Sequence, residues 1–441
     1  MQPDALSGNF APVTEERVLL EPACTGTLPT GLDGLYVRTG PNPLPDAPPR
    51  PLPWLTGDGM VHGLRIEGGR VLWYRNRWIS TPEVADRLGR SAPVPPPALV
   101  PEGSGNLAVC PHAGNLYAFS ELALPYALST GTLETRAIED FGGPLPAGSI
   151  GHPKADATTG ALHTLAYHFE APYLRHHEVD RRGRLVRSRV LPLERPAYVH
   201  DFGLGRRWLV LFDLPRLFSE EALLDGQPLP YCWTEDAEAR VGLVPRDGDG
   251  PPLWFPTDPF RLEHVAAVHE ESSGRVVVDL IAGPAEDGTD ATLQRLTLDP
   301  GRGVCLREVL DDRPQDLPTG DPRTATGGRR WLWTLAADRS GPAPVGRRLY
   351  RHDLLHGERV EVPLPDGVVA GELSYVPAHA RAEEDEGWLL GFCWEGPRSV
   401  PGFLVLDARR PGAEPVARIT LTGRVPHGSH GCWMALPRGS G

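Results

Sequence analysis

Histidine is the side chain in this sequence best placed to do chemistry at neutral pH. There are 15 of them, with no H-E-x-x-H and no H-x-H pair. A metal site made from them must therefore collect ligands from separate segments. Four share one setting. His152 lies in SIGHPKADATTGALH, His200 in AYVHDFGL, His264 in FRLEHVAAVHEE and His430 in VPHGSHGCW. Each stands where a strand pattern begins or ends, beside small or apolar residues. Separations of 48, 64 and 166 residues suit ligands donated from different modules to one axis. Spacing alone leaves open that each merely satisfies a local hydrogen bond. His176–His177, in a strongly charged hairpin, reads as solvated, and His62 in GDGMVHG is ambiguous.

The segments that must position these side chains read as β-strands. Apolar runs are short, alternating and bounded by turns, as in GLYVRTG (34–40), RRWLVLFDL (206–214), SGRVVVDLIA (273–282) and GFLVLDA (402–408). IEGGRV, DRRGRL and DLLHGERV each place a turn between two strands. The best helix candidate is LFSEEALLDG (217–226). Many short strands at steady spacing predict an all-β sandwich, barrel or propeller. At roughly 40–50 residues per four-stranded blade, a propeller of about seven to nine blades fits the length. Pro-rich stretches at 41–53 and 92–101 read as surface connections, so residues 1–441 are taken as one domain.

Composition narrows the function. A formal net charge of −13 argues against a nucleic-acid partner. The six cysteines, at 24, 110, 232, 305, 393 and 432, form no C-x-x-C pair and read as buried thiols in a reducing compartment. MQPDALSGNF has neither the basic start nor the apolar run of a secretory signal. No apolar run of about 18 residues is present. The expected location is the cytoplasm, with room for a peripheral contact on the inner membrane face.

From about residue 30 to 435 the chain resembles the carotenoid cleavage oxygenases. The resemblance runs through GLYVRTGPNP (34–43), GDGMVHGLRI (57–66), YRNRWIST (74–81), FSELALPYALSTGTLET (119–135) and GHPKADATTG (151–160). It continues through YVHDFGL (198–204), HVAAVHEE (264–271), GELSYVP (371–377) and VPHGSHG (425–431). It implies a seven-bladed β-propeller with iron(II) on its central axis and long loops capping a substrate tunnel. It implies that His152, His200, His264 and His430 are the iron ligands. Three glutamates of the family hold the far ring nitrogens of such ligands. Glu121 in FSEL and Glu372 in GELS match two, and Asp316 in DLPTGDPR falls at the third. Aspartate is one methylene shorter, so it either falls short of its histidine or needs a backbone shift.

Other positions depart from the family pattern. Ser429 and His269 stand where aromatics are common, His427 where tyrosine is common, and Ala267 where asparagine is frequent. His269, His427 and Ser429 are expected to face the substrate, as is Ser120. The implied activity is oxidative cleavage of a conjugated C=C bond, with dioxygen as co-substrate and one Fe2+ per chain. The implied partner is an apolar polyene. Stilbene-cleaving relatives carry lysine where this chain has Ser120, which favours a carotenoid or apocarotenoid over a stilbene. A propeller serving only as a binding scaffold, and an isomerase or hydrolase on the same iron site, stay open. LPRLFSEEALL (214–224) is expected at an apolar tunnel entrance facing lipid.

Overall fold

The computed structural model describes residues 7–437 except 46, 48–52, 97–99, 144, 235–236, 286–289, 338–343 and 397–399. The Pro-rich stretches 41–53 and 92–101 fall partly outside the described residues. The chain folds into seven antiparallel sheets that form the blades of a β-propeller. From the axis outwards, blade 2 runs Ala108–His112, Asn115–Phe119, Tyr126–Leu128 and Thr135–Ile138. Blades 3 to 6 repeat this order, beginning with the inner strands Lys154–Ala155, Gly203–Leu204, Arg261–Glu270 and Asp316–Thr319. In blade 7 both Val368–Ala370 and Ser374–Pro377 pair with Gly387–Glu395.

Both ends of the chain close the ring. The late strand Gly431–Ala435 pairs with Gly34–Pro41 as the inner strand of blade 1. The early strand Cys24–Gly26 pairs with Ala417–Thr420 as the outer strand of blade 7. Buried apolar clusters fill all seven blade interfaces. Val109, Leu116 and Val37 join blades 1 and 2, for example, and Tyr36, Phe392 and Phe403 join blades 7 and 1. An inner or second strand is covered on both faces and so carries a nearly unbroken apolar run, as in VVVDLIAG of Val276–Gly283. Outer strands alternate: Leu185–Val190 is half-buried and exposed in turn.

The three hairpins read from sequence are present. In the first, Gly68 and Gly69 turn the chain at φ +58° and +75°, where a side chain would be strained. The expected 217–226 helix is shorter. Leu217 and Phe218 belong to strand Arg216–Phe218, paired with Tyr231–Trp233. Only Glu220–Leu224 is helical, capped by Ser219 Oγ accepting from the Ala222 N–H. Periodicity missed this because Arg216–Phe218 gains its partner only from the returning chain.

Two further expectations are corrected. His176 and His177 are fully buried, not solvated. Their strand, Leu174–Val179, is the third of blade 3 and has neighbouring blades against it, so both alternating faces are covered. His176 Nε2 lies 3.0 Å from His163 Nδ1. His62 is also buried, with Nδ1 2.9 Å from Tyr74 Oη. All six cysteines are free, but only Cys393 is fully buried and Cys24 is exposed on the outer strand of blade 7.

Burial pushes several imidazoles down: His163 and His427 to about 3, His177 and His352 to about 4. The unfolded chain binds protons at these positions below about pH 6.5 and the folded chain does not. Their contribution to stability is therefore complete above pH 6.5 and lost as pH falls towards 4. Each should cost about 1.4 kcal/mol per pH unit in that window. Denaturant unfolding at pH 7, 6 and 5 should show the decline, and His177→Phe should make it shallower by about one such increment. An unchanged slope in that variant would contradict the assignment.

Candidate metal centre

His152, His200 and His430 each precede the inner strand of a blade, and His264 lies within one. The blades are 3, 4, 1 and 5. Inner strands enter the ring from the same face, so residues at their starts meet at the axis. His264 is aimed there by a local irregularity. Its strand slips register against Val276–Gly283 between Leu262 and His264, and again between Val265 and Ala267. Such bulges re-aim a side chain that a regular pleat would point elsewhere.

The structure brings the four rings together. Nε2 of His152 is 3.1 Å from Nε2 of His200, and Nε2 of His264 is 3.3 Å from Nε2 of His430. Ligand atoms of His152, His200 and His264 all lie within 4.8 Å of one another. The His152 ring packs against the other three, with centroids 4.5, 5.1 and 4.6 Å away.

Behind the rings stand acids from the remaining blades. Asp316, opening the inner strand of blade 6, places Oδ1 2.6 Å from His264 Nδ1. Glu372, between the two inner segments of blade 7, places Oε1 3.1 Å from His430 Nδ1, and its Oε2 accepts the Gly431 N–H at 2.6 Å. Glu121 follows the second strand of blade 2. Its Oε1 is 3.5 Å from His200 Nδ1, a long contact, and its Oε2 accepts from the Tyr167 hydroxyl at 3.3 Å. The nearer neighbour of His200 Nδ1 is the Tyr198 hydroxyl, at 3.1 Å. Among the described residues no carboxylate pairs with His152.

Asp316 does reach its histidine, by way of irregular backbone. Strand Asp316–Thr319 breaks register there, Leu317 has φ +54°, and its N–H returns to Asp316 Oδ1 at 2.8 Å. Leu122, directly after Glu121, has φ +56°. A leucine in the left-handed region is costly, and both examples follow an acid that backs the centre.

This donor set fits a cation. Where Nδ1–H is committed to a carboxylate, a neutral ring turns its Nε2 lone pair inward. Lone pairs facing one another at about 3 Å repel unless a proton or a metal ion lies among them. Two nitrogens bound to one metal at neighbouring positions sit roughly 3 Å apart, given bonds of about 2.1 Å. Burial, and then the neighbouring imidazoles, hold the His152 ring well below its ordinary value and hence neutral. His264 differs: burial opposes its protonation, but the Asp316 carboxylate outweighs this and lifts it to about 9.

Two cavities flank the rings. One of about 310 Å³ touches His200 and is lined by Tyr198, Leu214, Tyr231, Trp233 and Phe260. The other, of about 410 Å³, includes Ser120, Glu121, Asp58, Glu83 and Glu102. Leu229 lines both. Ser120 lines the second cavity, and its hydroxyl is buried without a partner. The structure does not bring His269 to the centre. It lies four rungs along the ladder from His264, roughly 13 Å at 3.3 Å per residue, and packs against Gly328. The His427 ring packs on Trp394 and Phe10, with centroids 3.9 and 4.7 Å away, towards blade 7 and the early part of the chain. Ser429 hydrogen-bonds through its N–H to Thr39 O, and its hydroxyl is buried without a partner. Sequence reasoning missed Tyr198 and Tyr167. The signal available for Tyr198 was an aromatic two residues before a candidate ligand.

Fold and site define a class: a seven-bladed propeller with an axial cluster of four imidazoles backed by acids. The family model for retinal pigment epithelial membrane protein matches residues 10–435. A carotenoid cleavage oxygenase of Mycobacterium tuberculosis is 30% identical, over 97% of this chain and 97% of its own length. Carotenoid 9,10(9',10')-cleavage dioxygenase 1 of Arabidopsis thaliana is 26% identical, over 97% and 89%. Among solved structures, a Pseudomonas brassicacearum lignostilbene dioxygenase superposes with a TM-score of 0.86 at 26% identity, covering 98% of this chain and 99% of its own. A variant of Synechocystis apocarotenoid oxygenase shares the fold at a TM-score of 0.84 and 22% identity, over 97% and 98%. The chain belongs to the carotenoid cleavage oxygenase family, and it is an enzyme of that family.

A metal ion entering among the rings must displace the inward Nε2 proton of the His264 imidazolium that Asp316 stabilises. Affinity for cobalt(II) should thus rise about tenfold per pH unit from pH 7 towards 9 and then level off. Calorimetry in buffers of different ionisation heat should detect about one proton released near pH 7. Asp316→Asn should remove the dependence above pH 7 and weaken binding by about 10- to 100-fold. Equal pH dependence in both proteins would contradict this account.

Proposed function

We propose that His152, His200, His264 and His430 hold one iron(II) ion. With dioxygen, the enzyme then cleaves a conjugated C=C bond of a carotenoid or apocarotenoid into two carbonyl products. The observation that carries this reading is the inward convergence of imidazole nitrogens 3.1–3.3 Å apart with carboxylates behind them. Iron(II) suits imidazole ligands, keeps its full positive charge among four neutral ones, and supplies activation of dioxygen.

The protein's own residues orient and bind. Asp316 and Glu372 fix which nitrogen of His264 and His430 faces the axis. The cavity beside His200, whose aromatic and aliphatic wall is interrupted by Arg216, Gln227 and Arg261, takes the polyene. Ser120 lines the second cavity, and rotation of its buried, unpartnered hydroxyl would present it to a polar group at one end of the substrate. No side chain need give or take a proton, because both atoms of O2 become the two carbonyl oxygens. A hydroxystilbene is the competing substrate, favoured by the likeness to lignostilbene dioxygenase.

Among the described residues no helix is long and apolar enough to cross a membrane. Apolar side chains are nonetheless exposed near the aromatic cavity: Leu224 at 80% and Leu223 at 45% on the segment that bounds it, and Phe169 at 41%. Phe169 stacks on Phe218 at 4.8 Å, and Phe218 meets the cavity residue Tyr231 at 5.9 Å. This surface is suited to resting on lipid, from which an apolar substrate would enter.

Incubation of iron-loaded protein with a panel of polyenes and a hydroxystilbene under labelled dioxygen tests the activity. Mass spectrometry should find one labelled oxygen in each of two carbonyl products from a polyene. Cleavage of the stilbene alone would overturn the substrate assignment, and unlabelled products the reaction. His264→Ala should purify without stoichiometric iron. Phe218→Asp should lower binding to liposomes several-fold, and unchanged binding would count against the lipid-facing surface.

A further inference from the structure

Lys154 is the only lysine among the chain's 44 cationic residues. Its ammonium lies 2.7 Å from Asp201 Oδ1 and 3.0 Å from Oδ2. The Asp201 side chain is 1% exposed. Each of its oxygens also accepts a backbone N–H at 2.7 Å, Oδ1 from Phe202 and Oδ2 from Val265. These four contacts match the roughly four acceptor directions a carboxylate offers.

The partners are informative. Lys154 comes two residues after His152, Asp201 directly after His200, and Val265 directly after His264. One buried carboxylate thus joins three blades within two residues of three candidate ligands. His430 is fixed separately, through Glu372 and the Gly431 N–H. We infer that the Lys154–Asp201 pair is a positioning device that sets His152, His200 and His264 relative to one another before a metal binds. The inference rests on the metal reading proposed above.

Lysine is the appropriate cation here. A compact ammonium leaves each oxygen a direction free for its backbone N–H. The planar fork of arginine would span both oxygens side by side and compete with those donors. Lys154→Arg is therefore not conservative, although it keeps the charge.

The test compares Asp201→Asn and Lys154→Arg with Asp353→Asn. Asp353 is also buried and ion-paired, to Arg330 at 2.7 Å, but it lies on the third strand of blade 6. Cobalt(II) serves as an air-stable probe, read by its visible absorption, and thermal unfolding is measured on metal-free protein. Asp201→Asn and Asp353→Asn should both lower the melting temperature. Only Asp201→Asn should weaken cobalt binding, by about 10- to 100-fold, and alter the band pattern. Lys154→Arg should shift both in the same direction. Wild-type affinity and spectrum in Asp201→Asn would overturn the inference. If wild type fails to bind cobalt, or His264→Ala binds as well as wild type, the metal reading itself falls. A second measurement needs no variant. An amine-acylating reagent can modify only Lys154 and the α-amine, and peptide mass spectrometry follows Lys154. Cobalt should slow its acylation several-fold, and an equal rate with and without metal would overturn the coupling.

Discussion

Four imidazoles turned towards one point are the constraint on which the rest of this structure turns. Left to themselves, His152, His200, His264 and His430 would not hold this arrangement, because nothing in the rings alone fixes their orientation. Forces from outside the cluster hold them in place. Asp316 and Glu372 pull on the far ring nitrogens, and backbone from four blades fixes the Cα positions. That backbone is rigid because each blade interface is filled with apolar side chains, and because strands from both ends of the chain complete the ring. The propeller positions the centre by surrounding it: blades 1, 3, 4 and 5 supply imidazoles, and blades 2, 6 and 7 supply acids.

The cost of this arrangement appears in the backbone around it. Leu122 and Leu317 adopt left-handed conformations directly after Glu121 and Asp316, and the His264 strand bulges twice. Regular sheet would satisfy local preference better. These departures sit next to the convergent side chains, as expected where function overrides local rules.

The sequence carried the strands, the hairpins and the all-β class, because alternation and glycine turns are local physics. It placed the blade count between seven and nine. The four histidines stood out only through ordered motifs, since spacing cannot say that residues 166 apart will touch. What stayed hidden depended on blades packing together. His176 and His177 looked solvated because the arginines around them are visible in sequence while the covering blades are not. Tyr167 against Glu121, and Lys154 against Asp201, are meetings created by folding. His269 is a different case. Its expected place rested on a family position where aromatics are common, whereas four rungs of strand separate it from His264 by roughly 13 Å. Asp316 reaches its partner through a break in register that one methylene of side-chain length could not foretell.

Ring closure also orders assembly in time. His430 immediately precedes Gly431–Ala435, the strand that completes blade 1, and it leaves the ribosome 166 residues after His264. A nascent chain can hold three of the imidazoles near one another long before the fourth exists. The complete centre therefore forms only when Gly431–Ala435 docks as the inner strand of blade 1. Until then the axis lacks both His430 and the Gly431 N–H that holds Glu372, so docking of this strand is the step that completes the donor set.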